Sequence, residues 1–193
     1  MPQEFWQWFE KNIDTLNSFE PGMEAVLDSV SEALSNYNPN LAFEISQPID
    51  GTREFVISAE GVMDEFQSVI DLHEAKPELE GWDIIAFRPR MSLDYSIEFG
   101  HLTLNPEDLW IYWREEEGYF DLIVYFPNYS EEERNTFVEA AYILLDMAIG
   151  EYYVAAGIRY IDHQQLPENP EANGLRPFKE LPEVFYGYID RRG

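Results

Sequence analysis

Carboxylates outnumber cationic side chains by 38 to 12 in this 193-residue chain, a formal net charge of -26, yet 45% of the residues are hydrophobic and 16% aromatic. A disordered acidic chain lacks the aromatic and branched residues that offset the entropy of ordering, whereas this one can bury enough apolar surface to fold. The expectation is a folded acidic protein. A chain of this length can hold one good-sized core without staples. It contains no cysteine, which excludes a disulfide framework, a thiolate zinc site, an iron-sulfur cluster and a cysteine nucleophile together. The first nine residues have no basic region ahead of an apolar stretch. No run approaches the ~20 apolar residues of a membrane span. These features predict a soluble cytoplasmic protein with no membrane association.

Such a charge keeps a protein dispersed, repels nucleic acid and anionic surfaces, and attracts basic partners at long range. Colloidal stability alone is one reading of it. The other is a surface that docks a basic protein. The charge is uneven: from Met91 to Ile158 the cations are Arg114 and Arg134, while Glu115, Glu116, Glu117, Asp121, Glu131, Glu132 and Glu133 gather around one expected hairpin and one helix start. These seven carboxylates are the candidate binding residues.

The hydrophobic pattern organises the chain. Phe5, Phe9, Ile13 and Leu16 recur at helical spacing. Met23, Val26, Leu27, Val30 and Leu34 do so again after Pro21, which suits a first-turn position. Residues 1–37 therefore read as a pair of helices. From Leu41 the period becomes two: Leu41, Phe43 and Ile45 form one strand, Asp50-Gly51 a turn, and Phe55, Ile57 and Ala59 the return strand. A helix with Met63, Phe66, Val69 and Ile70 on one face follows, then a buried strand from Trp82 to Phe87. The same order recurs later. Leu109 to Trp113 and Tyr119 to Phe126 are strands, Ser130 with Glu133 is a capping box, a helix runs to about Ile149, and a last strand covers about Val154 to Asp162. Residues 41–90 and 91–164 thus hold two strand-strand-helix-strand units, the second preceded by an extra strand. Residues 165–193, punctuated by Pro167, Pro170, Gly174, Pro177 and Pro182, read as an irregular arm laid over the domain.

Chemistry is sparse. His73, His101 and His163 each stand alone, without the spaced partners of a zinc motif. There is no calcium loop, phosphate-cradling glycine loop or nucleophile elbow. No catalytic residue, metal ligand or cofactor is assigned. The one anomaly is Asp146, set among the apolar residues of Ala140 to Ile149 on a helix expected to be covered all round, where a carboxylate needs a partner. Arg88 and Arg90, flanking Pro89, are the candidates, since a planar guanidinium grips a carboxylate bidentately. The trio is either a buried ion pair or the anchor of a small-ligand pocket.

Several segments resemble an uncharacterised family of acidic bacterial proteins: Phe5-Trp6-Gln7-Trp8-Phe9, Arg53 to Ala59, Ala86-Phe87-Arg88-Pro89-Arg90, Ala141 to Asp146 with Gly150-Glu151-Tyr152, and Glu180-Leu181-Pro182. The resemblance spans nearly the whole chain. It implies one full-length domain and carries no activity.

Together these readings predict a single α+β domain, residues 1–193, with a mostly antiparallel sheet built from the two units, the helical pair and the arm. The expected function is non-enzymatic docking of a basic partner, as by an inhibitor, immunity-type or adaptor protein. The alternative is an enzyme or small-ligand binder near Arg88, Arg90 and Asp146.

Overall fold

The N-terminal stripe of aromatics folds as anticipated, but in more pieces. In the computed structural model, which describes residues 1–192, α1 (Pro2–Lys11) buries Phe5, Trp6 and Phe9. The Asn12 amide, donating to the Trp8 carbonyl at 2.8 Å, marks the break before the short α2 (Ile13–Asn17). Pro21 does not open a helix. Gly22, at φ 92, turns the chain so that α3 (Glu24–Tyr37) begins two residues later and buries Val26, Val30, Ala33 and Leu34.

The chain divides into two compact units, Met1–Arg88 and the residues from Pro89 onward. In the first, β1 (Ala42–Ile45) and β2 (Arg53–Ser58) pair antiparallel through a turn whose Asp50 and Gly51 both take positive φ, the type I′ geometry that suits strand twist. After a single 3-10 turn, α4 (Phe66–Glu74) buries Phe66, Val69 and Leu72, while Met63 is exposed. The chain then returns as β3 (Trp82–Ala86), parallel to β2. The sheet order is β1-β2-β3, with β1 at an edge. Phe55, fully buried, is the hub: the rings of Phe5, Phe9 and Phe43 stand 5.9, 5.2 and 5.8 Å from it. Arg53 is buried too. Its guanidinium donates to the carbonyls of Ser46 (3.0 Å), Asn17 (3.2 Å) and Phe19 (2.6 Å), pinning the loop after α2 to the end of β1.

The second unit opens with a small hairpin, β4 (Ile97–Phe99) and β5 (Leu102–Leu104), in place of the one extra strand expected. Then β6 (Trp110–Glu116) and β7 (Tyr119–Phe126) pair antiparallel. Ser130 accepts from the Glu132 amide, and a 3-10 turn over Glu131–Glu133 leads into α5 (Arg134–Ile149). A further helix, α6 (Glu151–Gly157), takes Val154 out of the expected last strand, so that β8 (Ile158–Gln165) starts later and runs parallel to β7. Both units therefore share one order: an antiparallel hairpin, then a helical crossover to a third strand parallel to the second.

The C-terminal arm is more regular than its prolines suggest. After β9 (Arg176–Pro177) pairs with β6, a ten-residue helix, α7 (Leu181–Asp190), begins with Pro182 in its first turn and buries Leu181, Phe185 and Tyr188 at helical spacing. Tyr186 donates to the Ile149 carbonyl and Tyr188 to that of Gly118, at 2.8 and 2.7 Å. Gly157 is the tight point. A Cβ there would lie 2.6 Å from Cζ of the fully buried Phe185. Gly157→Ala is expected to lower stability by about 1–3 kcal/mol through overpacking. An unchanged denaturant midpoint would show that the Phe185 ring has room to move.

Candidate functional site

The seven candidate carboxylates lie at two ends of one sheet. Glu116 and Tyr119 are paired at the tip of the β6-β7 hairpin, whereas Glu131 to Glu133 follow the far end of β7. An eight-residue strand separates its ends by about 23 Å. They form two clusters rather than one patch.

The hairpin tip is mixed in charge. Both oxygens of Glu115 accept from Arg191 Nη2 at 2.8 Å. Asp121 takes a bidentate grip from Arg159, with Nε at 2.8 Å, and these hydrogen bonds hold its carboxyl below the usual carboxylate range. Arg114 stands opposite Asp121 in the strand register, and Arg192 donates to the Tyr188 hydroxyl, itself bonded to the Gly118 carbonyl. Four arginines thus surround Glu115, Glu116, Glu117 and Asp121. At the other end, Glu133 Oε1 meets His101 Nε2 at 2.9 Å, while Glu131 and Glu132 are exposed. Glu133 and His101 line a cleft of about 390 Å³ in which Asn105, Asp108 and Asn128 are mixed with apolar Leu102, Leu109 and Phe137.

Arg88, at the end of the first unit, donates from Nε to Glu44 Oε1 at 2.5 Å and from Nη2 to Glu60. Burial opposes its charge, but the hydrogen bonds to Glu44 and Glu60 outweigh it and hold the guanidinium above its ordinary pKa. In the second unit, Arg90 lies over the Tyr186 ring at 5.3 Å. Asp146 is half-buried on α5. That helix is not covered all round: Tyr142 and Ile143, on the side of Asp146, are 44% and 40% exposed. The apolar run reads as fully buried because tyrosine and isoleucine carry no sign of which face is left to solvent.

An acidic surface with fewer neighbouring cations was missed in the sequence. Between Lys11 and Arg53 there is no cation, yet the stretch holds Asp14, Glu20, Glu24, Asp28, Glu32, Glu44 and Asp50. Arg53 is spent on buried carbonyls and Glu44 on Arg88. Glu24, Asp28 and Glu32 stand at i, i+4 and i+8, all exposed on the outer side of α3, and none makes an ion pair among the described residues. Like charges at this spacing weaken a helix by a few tenths of a kcal/mol per pair. The spacing was the legible signal.

His163 on β8 is 4% exposed, and neither ring nitrogen meets a hydrogen-bond partner among the described residues; its ring stacks on Phe126 at 6.1 Å. Burial, reinforced by Arg134 and opposed by Asp162, pushes its pKa down to about 4. With that value the imidazole is neutral at pH 7. Among the described residues no group of three or more His, Asp or Glu could hold a metal ion, and no helix is long and apolar enough to cross a membrane. Comparison with protein-family models, curated proteins and solved structures finds no match to this chain.

Proposed function

We propose that this protein is a non-enzymatic binding module that docks a basic protein partner, with α3 as the leading acidic surface. The observation that supports this is the stripe of Glu24, Asp28 and Glu32, which costs helix stability and makes no ion pair among the described residues. The hairpin tip is the weaker candidate, because Arg114, Arg159, Arg191 and Arg192 already offset its carboxylates. The same field disfavours nucleic acid and anionic lipid as partners, and the lack of cysteine fits a reducing cytoplasm.

Steering by charge makes affinity depend on salt. Tagged protein exposed to a native lysate at low ionic strength is expected to retain one stoichiometric basic protein, released at moderate salt. Reversing Glu24, Asp28 and Glu32 to lysine together should weaken that capture about tenfold or more, and reversing Glu115, Glu116 and Glu117 should weaken it less. A smear of abundant cationic proteins, or capture indifferent to salt, would sink the proposal.

A further inference from the structure

The edge of the first unit's sheet beside α3 has the properties of a peptide-binding groove. In the antiparallel ladder of β1 with β2, the Ser46 amide donates to the Glu54 carbonyl at 3.0 Å, so Glu44 and Ala42, two and four residues back, also point their backbone groups at β2. Phe43 and Ile45 are out of phase with them. Their N–H and C=O groups project from the outer edge, and nothing among the described residues pairs with them. Edge strands are normally blunted by a charge, a proline or a bulge. Here the one charge within β1, Glu44, is neutralised by Arg88.

Alongside this edge runs an open cleft of about 630 Å³, lined chiefly by Phe19, Leu27, Phe43 and Ile45, with Glu44 and Gln47 as its polar members. Leu27 lies on the flank of α3 that leads round to Glu24 and Asp28, and Glu20 precedes the Pro21-Gly22 turn. Unpaired backbone and an apolar floor therefore coincide, and Glu20, Glu24 and Asp28 sit on the segments that carry the lining residues Phe19, Pro21 and Leu27. Arg53 holds the walls in place, joining the carbonyl of Phe19 to that of Ser46.

We propose that this groove takes up an extended segment of the partner as an added strand on β1. The segment carries apolar side chains on one face, which enter the cleft, and lysines or arginines that meet Glu20, Glu24 and Asp28. Strand addition of this kind draws affinity from main-chain hydrogen bonds and selectivity from pockets for alternate side chains. The proposal rests on the reading that the partner is basic and adds where, and in what conformation, it is held.

The test is fluorescence anisotropy of the full chain with a labelled octapeptide of alternating lysine and valine. Saturable binding is expected at low salt, and the alternating glutamate and valine peptide should bind at least tenfold more weakly. Methylating alternate backbone nitrogens of the lysine peptide, on the edge facing β1, should cost tenfold or more. Because that control leaves the protein unaltered, it does not depend on any variant folding. Ile45→Pro removes an outward N–H that β2 does not use, and Leu27→Lys puts a charge in the cleft wall; each should weaken binding similarly. No binding of the lysine peptide overturns the groove while leaving the basic-partner reading to the capture experiment. Equal binding of the methylated peptide overturns strand addition but keeps the charge contact. Equal binding of the glutamate peptide overturns the contact with Glu20, Glu24 and Asp28, and with it the basic-partner reading at this face.

Discussion

Phe55→Ala is expected to lower the stability of this protein by about 3–5 kcal/mol, the usual range for truncating a fully buried phenylalanine. The ring has no exposed surface and touches both layers of its unit: Phe5, Trp6 and Phe9 come from α1 and Phe43 from β1. These neighbours are themselves ring-packed, Phe5 on Trp6 at 4.9 Å and Phe9 on Trp82 at 5.1 Å, so collapse around the lost ring would have to displace several aromatics at once. Incomplete collapse leaves a cavity, and the cost sits toward the upper end. Against a total stability of about 5–15 kcal/mol this is a large fraction. Urea unfolding followed by tryptophan fluorescence measures it directly, since Trp6 and Trp82 are buried in the same cluster. Phe55→Leu should recover about half of the loss. A cost below about 1 kcal/mol would mean that the cluster is not the core of the first unit. Because Phe43 stacks on Phe55 at 5.8 Å, the variant should also loosen the floor of the β1 groove and weaken its peptide.

His163→Phe should make the protein less sensitive to acid. The native imidazole stays neutral down to about pH 4, while in the unfolded chain it protonates below its ordinary 6.5. Above pH 6.5 both states hold it neutral, and it contributes no pH dependence. As pH falls from 6.5 toward 4 the unfolded state binds a proton that the native state refuses, so stability drops by about 1.4 kcal/mol per unit, or roughly 3 kcal/mol in all. Relief of the net negative charge runs the other way, and proton uptake by ion-paired carboxylates such as Asp121 adds to the loss. The difference between native protein and variant isolates the histidine. Denaturant melts at pH 4, 5, 6 and 7 should show the variant gaining on the native protein at each step down. A phenylalanine in the same slot, against Phe126, also removes two unpaired ring nitrogens, so the variant is expected to be more stable at pH 7 by about 1 kcal/mol. Parallel pH profiles would mean that the imidazole reaches solvent or a proton partner.

The two hairpin-and-crossover units were legible because their signals are local. Alternation through Phe43 and Ile45, a turn at Asp50-Gly51 and a 3.6-residue period after Phe66 each follow from a few neighbouring side chains. The same holds for the Ser130 cap ahead of α5. The α7 helix was hidden by its own start signal, since Pro182 in a proline-rich stretch reads as loop although it suits a first turn. Of the site, the spacing of Glu24, Asp28 and Glu32 was there to be read, but whether it lies bare was not.

Period and turn chemistry are set within a few residues along the chain, and so composition and order alone dictate a folded, acidic α+β protein with its two hairpin-helix-strand runs, but not the helices α6 and α7. Which charges remain for a partner is a property of distance through space. Arg191 reaches Glu115 across 76 positions and Arg159 reaches Asp121 across 38, turning the most acidic stretch of the sequence into a mixed-charge hairpin tip. Folding likewise puts Arg53 inside on three carbonyls and leaves β1 at the sheet edge with the backbone of Phe43 and Ile45 facing outward. No pattern along the chain encodes those outcomes, because neutralisation and edge position depend on which distant segments come to lie side by side.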